Sequence, residues 1–188
     1  MDITSDHYQI HVMLDIETLA TTPDAAIISI GAVKFNPNNL DDISDNDKFY
    51  CPTTIASNIE MQRAISGSTL EWWASPEQRD AWEEYHKSER QHLLSALDGF
   101  AQWFGPDSMP VWGNGATFDN VIMRDAFTKA GIRVPWTYRH DRCHRTMCAQ
   151  ADWLEFKRDG TYHNALDDAM AQARHLQKVT DTLKIILK

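Results

Sequence analysis

Two carboxylates, Asp15 and Glu17, stand one residue apart at the end of the apolar run Ile10–Ile16. In a strand, alternate side chains share a face, so both acids point the same way. Like charges one strand step apart repel, and a divalent cation between them relieves the repulsion. Standing alone, the pair has a simpler explanation as a solvated strand end, because Asp-x-Glu arises by chance in roughly half of chains this long. A further acid, Asp119, lies in Trp112-Gly113-Asn114-Gly115-Ala116-Thr117-Phe118-Asp119, where a strand passes through a glycine-containing turn into a helix. The positive end of the helix dipole accounts for one acid there, but not for Asn114 and Phe118 beside it. The last piece is His163-Asn164-Ala165-Leu166-Asp167-Asp168. His163 precedes the final helix and Asp168 sits about one turn into it. The stripe Ala165, Ala169 and Leu176 turns Asp168 toward the sheet and leaves Asp167 facing solvent.

The elements that must position these groups are legible from periodicity and turn chemistry. Ile10–Ile16, Ala26–Phe35 and Lys48–Tyr50 read as strands, with Asn36–Asp47, rich in Asn, Asp and Pro, as the loop between the second and third. They suggest an antiparallel meander. From about residue 69 helical signals take over. Ser75-Pro76-Glu77-Gln78 and Ser88-Glu89-Arg90-Gln91 read as helix starts, and Leu93, Leu97, Phe100 and Phe104 follow at helical spacing before Gly105-Pro106. Pro110–Gly113 is a short buried strand, Thr117–Lys129 a helix ended by Gly131, and a long helix begins near Asn164. Strands first and strand–helix units afterwards predict a mixed α/β sheet.

Composition narrows the function. The 188 residues suit one domain spanning 1–188, and 43% hydrophobic with 24% charged residues excludes disorder and fibrous repeats. Eighteen basic against 27 acidic residues give a net charge of −9, so a broad electrostatic grip on nucleic acid is excluded. A polyanion must be handled locally. Ala25–Val33 is too short to span a bilayer, the start (Met1, Asp2, Asp6) lacks a basic leader, and three cysteines make no disulfide framework. The expected setting is cytoplasmic, without membrane association.

Taken together and in this order, Asp15/Glu17, Asn114…Phe118-Asp119 and His163…Asp168 resemble the DEDD superfamily of 3′–5′ exonucleases, in its histidine-bearing branch. The tyrosine-bearing branch is not matched, since Tyr162 has Leu166 at that branch's spacing. The segment Asp15-Ile16-Glu17-Thr18-Leu19 through Val33, and Thr69-Leu70-Glu71-Trp72-Trp73 followed by Gln78, look most like the phage and prophage exodeoxyribonuclease VIII-like and mycobacterial-exoribonuclease-like group. Ala20 departs from a glycine often found there. The resemblance implies an α/β, ribonuclease H-like fold with a central five-stranded mixed sheet flanked by helices.

The chemistry the resemblance implies is phosphodiester hydrolysis at single-stranded DNA or RNA with a free 3′ end. Two Mg2+ or Mn2+ ions would be held by Asp15, bridging, with Glu17, Asp119 and Asp168, and His163 would be the general base. Four carboxylates are hard oxygen ligands, suited to these cations and not to a thiolate-loving metal. Thr18 and Leu19 would line the terminal-nucleotide pocket, Asn114 and Phe118 would meet substrate, and Trp73 or its neighbour Trp72 would stack on a base. The resemblance also implies a homodimer. Arg133, Arg139, Arg142 and Arg145, interleaved with Trp136, Tyr138, His140 and His144, form a basic-aromatic cluster that could guide the strand. His140, Cys143, His144 and Cys148 are irregularly spaced, and adjacent Cys143-His144 cannot easily share a tetrahedral ion, so zinc is not expected there. The alternative, an inactive binding module that kept the fold, predicts damaged ligands, whereas all four acids and His163 are present.

Overall fold

The computed structural model describes residues 10–40, 43–158 and 163–188. Met1, Asp2, Asp6 and Tyr162, which entered the sequence argument, lie outside them. Strands β1 (His11–Thr18), β2 (Ile27–Phe35) and β3 (Lys48–Pro52) form the expected antiparallel meander. Helices α1 (Ile55–Glu60), α2 (Gly67–Trp73), α3 (Arg79–Lys87) and α4 (Leu93–Phe104) follow. The chain then re-enters the sheet as β4 (Val111–Gly113), leaves as α5 (Asp119–Lys129), returns as β5 (Asp141–Cys143), and closes with α6 (His144–Cys148) and α7 (Ala165–Leu183). Sheet order is β3-β2-β1-β4-β5, and β4 and β5 add in parallel. This is the five-stranded mixed sheet of a ribonuclease H-like fold.

Strict alternation along β1 divides its side chains between two cores. Val12, Leu14 and Ile16 face Leu97 and Phe100 of α4 and Ile122 of α5, all buried. Met13 faces the other way and packs with Val33 and Trp112 against Ala169, Ala173 and Leu176 of α7. Asp15 and Glu17 share the face of Met13. Burial of each such Leu, Ile or Phe stabilises by about 1.5–3 kcal/mol, so the strand carrying the acids is clamped from both sides. Asp15 is paired with Gly31 on β2, and a Cβ at Gly31 would lie 2.1 Å from the Ala165 carbonyl carbon. The missing side chain is what lets the start of α7 rest on the sheet beside Asp15.

Two local expectations change, and one strand went unread. Ser88 does not start α4; its hydroxyl donates to the Glu84 carbonyl and closes α3, while His92 caps α4 by accepting from the Leu94 N–H at 3.1 Å. The helix expected from Thr117 starts at Asp119. Strand β5, three half-buried residues, carries no alternating pattern long enough to read.

Candidate active site

Three elements deliver the four acids to one place. Asp15 and Glu17 come from the C-terminal end of β1, where the pairing with β2 shifts register between Glu17 and Thr18. Asp119 opens α5, and its Oδ1 accepts from the Ile16 backbone N–H at 3.3 Å. That approach needs Gly113 on β4, where a Cβ would sit 2.9 Å from Asp119 Oδ2. Asp168 lies in the first turn of α7, buried, with Asp167 more exposed beside it. Asn164 caps this helix, its Oδ1 accepting from the N–H groups of Leu166 and Asp167 at 2.9 and 3.2 Å. His163, just before the cap, has φ of 62°, a left-handed conformation that costs a non-glycine residue of order 1–3 kcal/mol. Its Nδ1 lies 3.8 Å from Glu17 Oε1. Ligand atoms of Glu17, His163 and Asp168 all fall within 4.8 Å of one another. The resulting cleft of about 340 Å³ is lined by Asp15, Glu17, Asn114, Asp119, His163 and Asp168 among others. A larger cleft of about 470 Å³ lies by Ile10 and Phe104, away from these groups, and is mainly apolar.

Crowding of acids shows in their proton affinities. Burial, then the charges of Asp119 and Asp168, pushes the Asp15 carboxyl well above the carboxylate range. Glu17 rises for the same reason, with Asp15 as the strongest neighbouring charge. Burial lifts Asp119 to about 7 against the pull of backbone amides and Arg145. Asp168 is raised by burial, with Arg158 opposing from 3.4 Å. Without a cation the cluster is held together against its own repulsion. His163 is lowered, first by burial and then by Arg158, while Asp168 opposes. Its imidazole is therefore neutral near pH 7 and open to a proton.

The substrate-side expectations divide. Thr18 and Phe118 line a second hollow of about 300 Å³ with Glu17, Thr21, Thr69 and Trp72, adjoining the acids, and Asn114 lines the acid cleft itself. Leu19 does not reach either: its side chain is fully buried among Ala26, Ile28 and Trp73. Trp73 is only 2% exposed and donates Nε1–H to the Thr18 carbonyl at 2.9 Å, so it braces the strand end and offers no face to a base. The open indole is Trp72, 41% exposed, whose ring meets His163 edge-to-face at 4.9 Å. Helical turn geometry in α2 separates the two neighbours, a distinction their adjacency hides. Nor does the basic-aromatic cluster act together. Trp136 is core, Arg142 donates to the Arg139 and Asp141 carbonyls, and of the cluster's four arginines only Arg145 lines the cleft. Two residues were missed. Gln172 donates to Asp15 Oδ1 at 2.7 Å, and its position one turn after Asp168 was the available signal. Arg158 sits in the cleft with no spacing to announce it.

A family model described as the 3′–5′ exoribonuclease Rv2179c-like domain matches residues 10–180. No curated protein matches the chain. Solved structures share the fold at low identity. An exonuclease I from Methylocaldum szegediense aligns at 14% identity and TM-score 0.63, covering 92% of this chain and 40% of that one. E. coli exonuclease I in complex with a dA16 oligonucleotide aligns at 14% and 0.58, covering 92% and 41%. A 3′-exonuclease described in 3′-end specific recognition of a histone mRNA stem-loop aligns at 13% and 0.59, covering 95% and 84%. The chain thus spans less than half the length of the exonuclease I proteins it matches.

Proposed function

The chain belongs to the family of 3′–5′ exoribonuclease Rv2179c-like domains, a 3′–5′ exonuclease by that membership, and we propose that residues 1–188 act as one domain removing nucleoside monophosphates from single-stranded 3′ ends. The observation that carries this reading is the meeting of Asp15, Glu17, Asp119, Asp168 and His163 in one cleft. The donor set fits divalent cations: hard carboxylate oxygens, mutually repelling and raised in proton affinity. Asp15, Glu17, Asp119 and Asp168 would hold two Mg2+ or Mn2+ ions. What such cations supply is a more acidic attacking water and neutralised charge at phosphorus and the leaving 3′ oxygen.

The remaining work falls to the chain's own side chains. His163, neutral and held between Glu17 and the ring of Trp72, takes the proton from water. Arg158 and Arg145 aim positive charge into the cleft, where phosphate oxygens would lie. The hollow of Thr18, Phe118 and Trp72 would seat the terminal nucleotide, with Trp72 stacking on its base. Only a splayed end can enter such a hollow. The oligonucleotide on E. coli exonuclease I supports a single-stranded substrate, and the family description keeps RNA in view.

Labelled single-stranded and duplex DNA and RNA, 3′-free or 3′-blocked, test this with Mg2+ or Mn2+. Mononucleotides should leave one at a time from free single-stranded 3′ ends. Asp15→Asn should abolish turnover while the metal-free protein melts at the same or higher temperature, because one repelling charge is gone. His163→Ala should slow turnover by about two to four orders of magnitude and keep calorimetric uptake of divalent ions. Cleavage of 3′-blocked strands, or full turnover in either variant, overturns the assignment.

A further inference from the structure

Behind the carboxylate cleft, three side chains that the hydrolysis does not use converge on one point. His144 and Cys148 are a helical turn apart on α6, and His175 comes from α7. Cys148 Sγ lies 3.1 Å from His144 Nε2 and 3.2 Å from His175 Nδ1, and the two nitrogens are 3.4 Å apart. We propose that His144, Cys148 and His175 form a zinc site, distinct from the acidic cleft, with water in the fourth position.

The triangle suits the ion. Tetrahedral zinc with bonds of about 2.0–2.3 Å places its nitrogen and sulfur ligands roughly 3.3–3.6 Å apart. The three observed edges match this within a few tenths of an ångström. One thiolate and two imidazoles are a soft donor set, which prefers zinc to the magnesium or manganese of the acids. Orientation is prepared as well. Asn114 Oδ1 lies 3.2 Å from His144 Nδ1, and accepting its proton leaves the Nε2 lone pair facing the centre. A hydrogen-bonded cluster serves these atoms poorly. The Cys148 thiol has one proton for the two nitrogens that face it. A cation accepts a lone pair from all three. His144 and His175 are 3% and 5% exposed, and Phe156 packs on both rings. The objection raised by the sequence dissolves, because Cys143 and His140 are not in the cluster; His140 bonds to Ser108 at 2.9 Å. An ion here would tie α6, which carries Arg145, to α7, which carries Asp168 and Gln172, and it would touch the cleft through Asn114.

Metal analysis of the purified full chain, dialysed against Mg2+, tests the site. One zinc per chain should remain in wild type and in Asp15→Asn, and should be lost in Cys148→Ser and His175→Gln. Cobalt(II) loading should give tetrahedral ligand-field bands and a thiolate-to-metal charge-transfer band, present in Asp15→Asn and absent in Cys148→Ser. If Cys148→Ser does not fold, His175→Gln with the cobalt spectrum of wild type decides. Zinc lost from Asp15→Asn but kept in Cys148→Ser places it on the carboxylates and overturns the proposal. So does a wild-type protein that retains no zinc and shows no charge-transfer band, which leaves a hydrogen-bonded cluster only.

Discussion

Trp73 tilts against Trp82 at 5.5 Å and holds the Thr18 carbonyl, while Trp72 beside it opens onto the nucleotide hollow. The two substitutions to alanine should therefore separate cleanly. Trp72→Ala should weaken binding of a single-stranded oligonucleotide by about 5- to 150-fold, the range expected of one base–aromatic stack worth about 1–3 kcal/mol, and leave thermal stability nearly unchanged. Trp73→Ala removes a buried ring and should cost about 3–5 kcal/mol of stability. Fluorescence anisotropy with an inactive Asp15→Asn background measures the first, and urea melts the second. Equal losses of affinity in both variants would return the stacking role to Trp73. The sequence shows both indoles but not which one turns outward, because that depends on how α2 lies across β1 and β2.

Helix α7 brings Asp168 and Gln172 to the site, and its placement rests on a contact with no side chain. The Ala165 backbone lies against Gly31, and Ala169, Ala173 and Leu176 continue the seam along β1 and β2. Gly31→Ala must push the helix start away from the sheet, moving Asp168 and His163 relative to Asp15. We expect a loss of stability of about 1–3 kcal/mol from overpacking and a larger loss of kcat, since a misplacement of about 1 Å can cost 100-fold. Melting temperature and single-turnover rates together check this. A variant with wild-type kcat would show that the helix start is not what sets the site. The long stripe and the Asn164 cap made α7 readable in advance. Its resting place on Gly31 was not, because a glycine in a strand has many explanations.

For the molecule as a whole, one buried histidine on the central strand couples stability to pH. His11 is fully buried, stacked on Trp112 at 6.0 Å, and its Nδ1 accepts from Trp112 Nε1–H at 2.9 Å. Burial, with Arg142 and His140 adding to it, pushes the imidazole down to about 4. In the unfolded chain the same group titrates near 6.5. Between these values the unfolded state binds the extra proton, so stability falls as pH drops, by about 1.4 kcal/mol per unit and about 3 kcal/mol in all. The raised carboxylates Asp15 and Glu17 act with the opposite sign, since the folded state holds their protons more tightly. Comparing urea stabilities of wild type and His11→Asn from pH 7 to pH 4 isolates the histidine. The variant, whose amide oxygen can still accept from Trp112, should lose one proton from the linkage slope. Superimposable slopes would mean that His11 is not held neutral in the fold. Among the described residues no helix is long and apolar enough to cross a membrane.

Local chemistry by itself determined a great deal about this protein. Alternation along Ile10–Ile16 put Asp15 and Glu17 on one face, the glycine turn after Trp112 placed Asp119 at a helix start, and Asn164 and the following stripe turned Asp168 inward. Each of these depends on neighbours within a few residues, where period and capping are direct consequences of backbone geometry. What only the tertiary structure decided involves groups brought together from distant parts of the chain. The burial of Leu19 and Trp73, the arrival of Arg158 and Gln172 beside the acids, and the meeting of His144 and Cys148 with His175 all follow from helices docking on a shared sheet. Docking is set by the summed packing of two whole faces, and no single spacing in the sequence records it.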